Sequence, residues 1–207
     1  MVFLLMLVIA TAVLAVSNDP ASETVTANAT ALAIFISLAA SYLILVIISK
    51  HYWHQQFLPS LGFSPSWLLG SLILGVVFAL LIQQLQKQFP APTGLKTSMQ
   101  LALSSDDWLK VLVYFSAIGL APFFEEYLFR GIVFDSFKQQ WGLLMAVLLS
   151  AFIFTLFHLF EYYHYWLAWL AIFSLAIILA IVRYKSESML NPIILHAAYN
   201  TTLLFHS

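Results

Sequence analysis

Ionisable side chains lie within long apolar runs at three places in the second half of this chain. The first place is the segment Ala121–Gly131, where Pro122 is followed by Glu125, Glu126 and Arg130. Charged groups are costly inside a membrane, so they are usually paired or functional there. Glu126 and Arg130 are four residues apart and share a helix face, so they can form an ion pair. Glu125 points about 100° away from Glu126, which leaves its carboxylate free to accept a proton as a general base.

Two later helices carry polar groups of complementary chemistry. One contains Phe154-Thr-Leu-Phe-His158, and the last contains His196-Ala-Ala-Tyr-Asn200, in which His196 and Asn200 share a face. If the chain turns near Lys138–Gln140 and again near Lys185–Ser188, then Glu125, His158 and His196 lie roughly 20, 27 and 14 Å from those turns. All three side chains then lie within the hydrocarbon region, where they could surround one polar cavity.

The composition requires a lipid environment for these residues. Of the 207 residues, 62% are hydrophobic and 8% are charged, and the mean hydropathy is +0.94. A soluble domain carries roughly 25% charged residues. The net charge of −1, with eight lysines and arginines, excludes a nucleic-acid partner. The chain has no cysteine, so disulfides, thiolate metal sites and a cysteine nucleophile are excluded as well.

The elements that position the candidate residues are transmembrane helices. An apolar run of about 20 residues spans the hydrocarbon core, and no period-two barrel pattern is present. The sequence therefore predicts an all-α polytopic bundle with about seven spans: Val2–Val16, Ala31–Ser49, Trp67–Leu85, Trp108–Phe137, Trp141–Phe160, Tyr165–Val182 and Met189–Phe205. We interpret Val2–Val16 as a retained span rather than a cleaved signal, because it lacks a basic leading region.

Three motifs in a fixed order resemble those of the CPBP family. This family comprises the type II CAAX prenyl endopeptidases, the bacteriocin-processing proteins and their bacterial relatives. The motifs are Glu125-Glu126-x-x-x-Arg130, Phe154-x-x-x-His158 and His196-x-x-x-Asn200. Each is a weak pattern alone, and the three together are specific. The resemblance divides one membrane domain into N-terminal helices and loops over 1–107 and a catalytic helical core over 108–207.

The resemblance implies an intramembrane endopeptidase that cleaves a membrane-associated peptide or protein, in the cell membrane of a bacterium. Glu125 and His158 would activate a water, His196 and Asn200 would stabilise the oxyanion, and Glu126 and Arg130 would orient the site. Relatives have been described as metalloproteases, and two glutamates with two histidines could bind zinc. We expect no cofactor and rank zinc second, because the H-E-x-x-H spacing is absent and Asn200 suits hydrogen bonding.

Structural and functional alternatives stay open at this point. Glu126 and Arg130 can be a purely structural pair, His158 can cap a helix end, and His196 with Asn200 can form hydrogen bonds between helices. A small transporter could use the same groups as a proton relay, but such proteins usually contain paired broken helices. A non-catalytic binding or immunity protein is the other alternative. All motif residues are present, so an endopeptidase is the favoured interpretation.

Overall fold

The structure is a computed structural model that describes residues 22–48, 62, 64–95, 97–159 and 161–206. Within these ranges all regular structure is helical, which confirms the predicted all-α class. The α-helices are α1 Ser22–Ile48, α2 Pro65–Gln88, α3 Ser98–Ala102, α4 Asp107–Phe115, α5 Ala121–Glu126, α6 Phe134–Phe157, α7 Trp166–Ser186 and α8 Leu190–His206. Two π-helical segments, Ser116–Leu120 and Tyr127–Val133, flank α5.

Several of these helices are long and apolar enough to cross a membrane, as an integral membrane protein requires. In the described ranges they are Val25–Ile44, Pro65–Gln88, Asp107–Phe157 and Trp166–Ser186. The predicted number of about seven spans is not confirmed. Helix α8 has 17 residues, which is slightly short for a span. The predicted span Val2–Val16 lies outside the described residues.

The chain forms two compact units. One unit consists of residues 1–57 and 96–124 and includes α1, α3 and α4. The other consists of residues 58–95 and 125–207 and includes α2. All seven named residues of the three sequence motifs belong to the second unit. The functional division into 1–107 and 108–207 stays a prediction.

In the first unit, α1 packs against α3 and α4. The Asn28 amide nitrogen donates to an Asp106 carboxylate oxygen at 2.7 Å, and the Asp106 backbone N–H donates to the Asn28 side-chain oxygen at 2.9 Å. Thr97 and Gln100 form a capping box at the start of α3. These bonds fix the short connection between α3 and α4 beside α1, over a core of Ala31, Ala102, Leu109 and Val113.

In the second unit, α6 reverses direction at Gly142. This glycine has φ 79° and ψ 178°, a conformation available almost only to glycine. Phe134 packs against Ala146 and Val147, although residues 12 apart in a straight helix are roughly 18 Å apart. The reversal therefore lies beyond Lys138–Gln140, where the polar residues suggested a turn.

The reversal at Gly142 brings the first two motifs to the same depth. Glu125 precedes Gly142 by about 17 residues and His158 follows it by about 16, so each lies roughly 25 Å along its arm. The rings of Phe129 and Phe154, which stand at similar distances from Gly142, meet edge to face at 5.0 Å. The difference in depth between Glu125 and His158 that a turn at Lys138–Gln140 would produce is therefore absent.

Helix α8, which carries the third motif, lies directly against α2. Ser71, Gly75 and Ala79 form a buried row of small residues on α2. A Cβ added at Gly75 would overlap the carbonyl oxygen of Leu195 and lie 3.0 Å from the Cβ of Ala198. Small residues at helix contacts allow such close approach in membranes. Gly75 therefore sets how near α8 stands to α2.

The connection between α6 and α7 is fixed by aromatic side chains with polar ends. The Tyr165 hydroxyl donates to the carbonyl oxygen of Phe89 at 2.7 Å, and the Trp169 indole N–H donates to the carbonyl oxygen of Tyr162 at 2.7 Å. Burial raises the pKa of Tyr162 to about 12, so its phenol remains neutral at physiological pH. These bonds hold the end of α2 against the start of α7.

Replacing Gly75 by Ala should lower the melting temperature by several degrees, because the added methyl overlaps the α8 backbone. Overpacking of this kind costs about 1–3 kcal/mol. Gly70→Ala is the matched control on the same helix, since a Cβ there meets nothing within 4 Å. A thermal-shift measurement in detergent should show Gly70→Ala at or above the parent. Equal melting temperatures for the two variants would contradict the close contact.

Candidate functional site

A buried ion pair lies at the centre of the second unit. Arg130 Nη1 donates to Glu126 Oε1 at 3.1 Å, and the two side chains are 1% and 0% exposed. Arg130 Nη2 donates to the carbonyl oxygen of Ala176 on α7 at 3.1 Å. The guanidinium carbon also lies 4.6 Å from the centre of the Phe154 ring, a cation–π contact. Arg130 therefore joins its own segment to α6 and α7.

The ring of His196 contacts both motif glutamates. Its Nδ1 lies 2.9 Å from Glu126 Oε1, the same oxygen that accepts from Arg130. Its Nε2 lies 3.8 Å from Glu125 Oε2. A carboxylate that is paired with arginine only accepts hydrogen bonds, so Nδ1 of His196 carries a hydrogen. The ring is thereby oriented with Nε2 toward Glu125.

The two neighbouring glutamates differ in access. Glu126 is closed off, whereas the side chain of Glu125 is 20% exposed. The 3.8 Å between Glu125 Oε2 and His196 Nε2 is too long for a direct hydrogen bond. A single water can lie about 2.8 Å from both atoms at this separation. The accessible carboxylate and the imidazole are therefore spaced to hold one water molecule together.

His158 follows directly after α6, and a backbone carbonyl of that helix sets the orientation of its ring. Its Nδ1 lies 2.9 Å from the carbonyl oxygen of Phe154. A carbonyl only accepts, so Nδ1 carries the hydrogen and Nε2 of the neutral ring has a free lone pair. The Phe154 ring centre lies 4.7 Å from that of His158 and 6.0 Å from that of His196. The two imidazole centres are therefore no farther apart than the sum of these distances.

The structure thus brings the predicted residues together in two ways. Glu126, Arg130 and His196 are joined by direct polar contacts, and Glu125 Oε2 lies 3.8 Å from His196 Nε2. His158 is joined to them through Phe154, and no ion pair between His158 and Glu125 occurs in the described ranges. Asn200 lies half-buried one turn after His196 on α8. The catalytic roles of these side chains stay predictions.

Sequence reasoning missed two features of the site. It assigned Glu126 to Arg130 alone, whereas Glu126 also accepts from His196, which is 70 positions away along the chain. It also treated Phe154 only as part of a motif, although its ring contacts three polar side chains of the site. The Phe154-x-x-x-His158 spacing was the available signal, because it places the Phe154 carbonyl within reach of His158.

The helix that carries the two glutamates is wound irregularly on both sides. One π-helical segment, Ser116–Leu120, precedes it, and the other, Tyr127–Val133, follows it and includes Arg130. Pro122 has no backbone N–H and cannot donate to the preceding turn, which disfavours regular winding there. Single π-turns are frequent at functional sites. The winding therefore changes on both sides of the segment that contains Pro122 and the two glutamates.

The described residues do not fit a zinc site. In those ranges no three His, Asp or Glu side chains are grouped to hold a metal ion. Catalytic zinc usually takes three protein ligands. The Glu126 oxygen that faces His196 is already engaged by Arg130, so it is a poor candidate for a ligand.

Apolar helices of spanning length, together with a buried network of glutamate, arginine and histidine, define an integral membrane protein with acid–base groups inside it. Residues 107–202 match the sequence model of a family described as type II CAAX prenyl endopeptidase Rce1-like. This match supports the CAAX protease and bacteriocin-processing family that the three motifs predicted. Comparisons with curated proteins and with solved structures returned no match.

Replacing Arg130 by Ala should strongly destabilise the fold, because it leaves the Glu126 carboxylate buried without its cation. Breaking a buried pair costs about 3–5 kcal/mol. Arg183→Ala is the control, since Arg183 lies 3.7 Å from Asp135 in a partly exposed pair, and such pairs contribute about 0–1 kcal/mol. Thermal-shift assays compare the variants. An Arg130→Ala protein as stable as the parent would show that the pair does not hold the site together.

Proposed function

We propose that this protein is an intramembrane endopeptidase that hydrolyses a peptide bond with a water activated by glutamate and histidine. Family membership supports a protease of the CAAX type. The observation that carries the proposal is the 3.8 Å spacing of Glu125 Oε2 and His196 Nε2. Of the two glutamates that lie beside His196, Glu125 is the partly exposed one and Glu126 is closed off.

Glu125 is the proposed general base. Its neighbour Glu126 takes the arginine, and in the described ranges no lysine or arginine forms an ion pair with Glu125. The partly exposed carboxylate of Glu125 can take up a proton from a water held beside it. His158 assists through Nε2, because its Nδ1 is engaged by the Phe154 carbonyl. Both groups are at the same depth on the two arms that meet at Gly142.

His196 and Asn200 are the proposed stabilisers of the oxyanion. His196 already donates to Glu126 through Nδ1, so it can donate through Nε2 only as an imidazolium. Asn200 follows His196 by one helical turn, so its amide can donate on the same face. Donors aimed at a developing negative charge are among the largest contributions to catalysis.

The proposed reaction needs no group beyond these side chains and water. The water oxygen attacks the peptide carbonyl carbon while its proton passes to Glu125. The carbonyl oxygen becomes an oxyanion that His196 and Asn200 stabilise. The C–N bond then breaks as the proton on Glu125 moves to the leaving nitrogen, which gives a carboxylic acid and an amine, and the acid then passes its proton to the amine. Throughout the reaction, the Glu126–Arg130 pair holds the helices that carry Glu125 and His196 in position relative to each other.

The proposed substrate is a membrane-associated peptide or protein. Apolar helices of spanning length support a membrane setting for the proposed site, and therefore a substrate that shares that environment. We assign the protein to the cell membrane of a bacterium, following the resemblance to the bacterial members of the family. A peptide-library experiment determines the substrate sequence and whether the substrate carries a lipid.

Glu125→Gln should abolish cleavage while the fold is kept, because glutamine has nearly the same shape but cannot take up the proton. The protein is purified in detergent and incubated with a library of membrane-anchored peptides. Glu187→Gln is the matched control, since Glu187 is exposed on the turn between α7 and α8. Equal melting temperatures must accompany the loss. Full activity of Glu125→Gln would remove the base from the mechanism.

Activity should survive prolonged chelation, because the proposed base and oxyanion donors act without a metal. The purified protein is dialysed against a strong chelator, assayed on the same peptide, and analysed for zinc. Unchanged turnover and no stoichiometric zinc are expected. One zinc per chain, lost together with activity and restored by added metal, would make Glu125, His158 and His196 ligands instead.

A further inference from the structure

The Phe154 ring lies beside the guanidinium and the two imidazoles of the candidate site. Phe154 is 1% exposed. The Arg130 guanidinium lies over its face at 4.6 Å, and the His158 and His196 rings lie at 4.7 and 6.0 Å from its centre. The Phe129 ring meets it edge to face at 5.0 Å. Phe154 therefore touches groups from three different parts of the chain.

The backbone of the same residue orients one of those groups. The Phe154 carbonyl oxygen lies 2.9 Å from Nδ1 of His158, so it determines which ring nitrogen carries the hydrogen. The ring and the carbonyl thus act on His158 together: the carbonyl sets its tautomer, and the ring limits its tilt. A cation over an aromatic face is attracted to the negative centre of that face. The same ring therefore also fixes where Arg130, and through it Glu126, is held.

A second phenylalanine shows what a purely structural role would look like. Phe134 is also 1% exposed and belongs to the same helix, but its neighbours are Ala146, Val147, Ala180, Phe137 and Ile177. None of these is a candidate catalytic group. The two phenylalanines are alike in burial and size and differ in what they contact.

We propose that Phe154 is a positioning residue that sets the spacing of His158 and His196 and the orientation of the Glu126–Arg130 pair. This inference rests on the proposed endopeptidase activity. Its physical basis is that a flat, rigid ring spaces two imidazoles more accurately than a flexible aliphatic side chain of similar volume. A displacement of about 1 Å in a catalytic group can reduce the rate by about 100-fold.

The kinetic test compares Phe154→Leu and Phe154→Met with Phe134→Leu in the full-length protein. Both Phe154 variants should lower kcat about 10- to 100-fold with KM unchanged, because substrate binding does not involve the ring. Phe134→Leu should lose similar thermal stability and keep its kcat. An equal kcat in parent and Phe154 variants overturns the inference. So does an equal fall in Phe134→Leu, or failure of both Phe154 variants to fold while Phe134→Leu folds.

A spectroscopic test examines the arrangement itself. The imidazole signals of the six histidines are recorded by NMR, and those of His158 and His196 are assigned with His→Gln variants. Phe154→Leu should remove a ring-current shift from these two signals, and Phe134→Leu should remove it from neither. Unmoved signals in Phe154→Leu overturn the inference.

The two proposals fail in different ways. If the parent is active and Glu125→Gln is inactive, the endopeptidase proposal stands, and an unchanged kcat in Phe154→Leu rejects the positioning role alone. If the parent cleaves no peptide of the library, the endopeptidase proposal fails and the positioning role falls with it. The NMR shifts then still report whether Phe154 holds the two rings.

Discussion

The fully buried charge of Arg130 is the constraint on which the second unit depends. Removing a guanidinium and a carboxylate from water costs several kcal/mol per ion, and only good geometry offsets that cost. Arg130 obtains its partners from Glu126, from the Ala176 carbonyl on α7 and from the Phe154 ring on α6. Glu126 in turn accepts from His196 on α8. Because each partner lies on a different helix, the charge is compensated only when these helices are all in place.

The burial of the Arg130 charge also gives two adjacent carboxylates different environments. Glu126 is committed to two donors and has no exposure, so its place is fixed and its charge is compensated. Glu125 lies beyond the opposite edge of the His196 ring, partly exposed and without an arginine. An imidazole suits this position because its two nitrogens point outward in different directions. One ring can therefore be anchored by the closed carboxylate and work beside the open one.

Local features of this site could be predicted from the sequence, and the contacts between helices could not. The Glu126–Arg130 pair follows from a spacing of four residues on one helix, and the span Trp67–Leu85 lies within α2 because apolar periodicity is a local property. The reversal was predicted near Lys138–Gln140, because the polar residues there suggested a turn. It lies instead at Gly142, where the backbone adopts a positive φ. The Glu126–His196 contact depends on how α8 packs, and no local pattern records that.

The packing of α8 against α2 explains how the Glu126–His196 contact is held in a bundle whose helices are not driven together by the hydrophobic effect. Lipid is as apolar as the helix surfaces, so helices associate through close backbone approach at small residues. Gly75 supplies that approach at the carbonyl of Leu195, the residue before His196. Successive side chains on a helix diverge by about 100°, so the face that meets α2 at Leu195 determines the direction in which the His196 ring points. The position of the ring relative to Glu125 and Glu126 therefore follows from the backbone contact on the neighbouring face of α8. Such contact deforms far less than a loop, so the backbone of α8 keeps His196 within reach of Glu126.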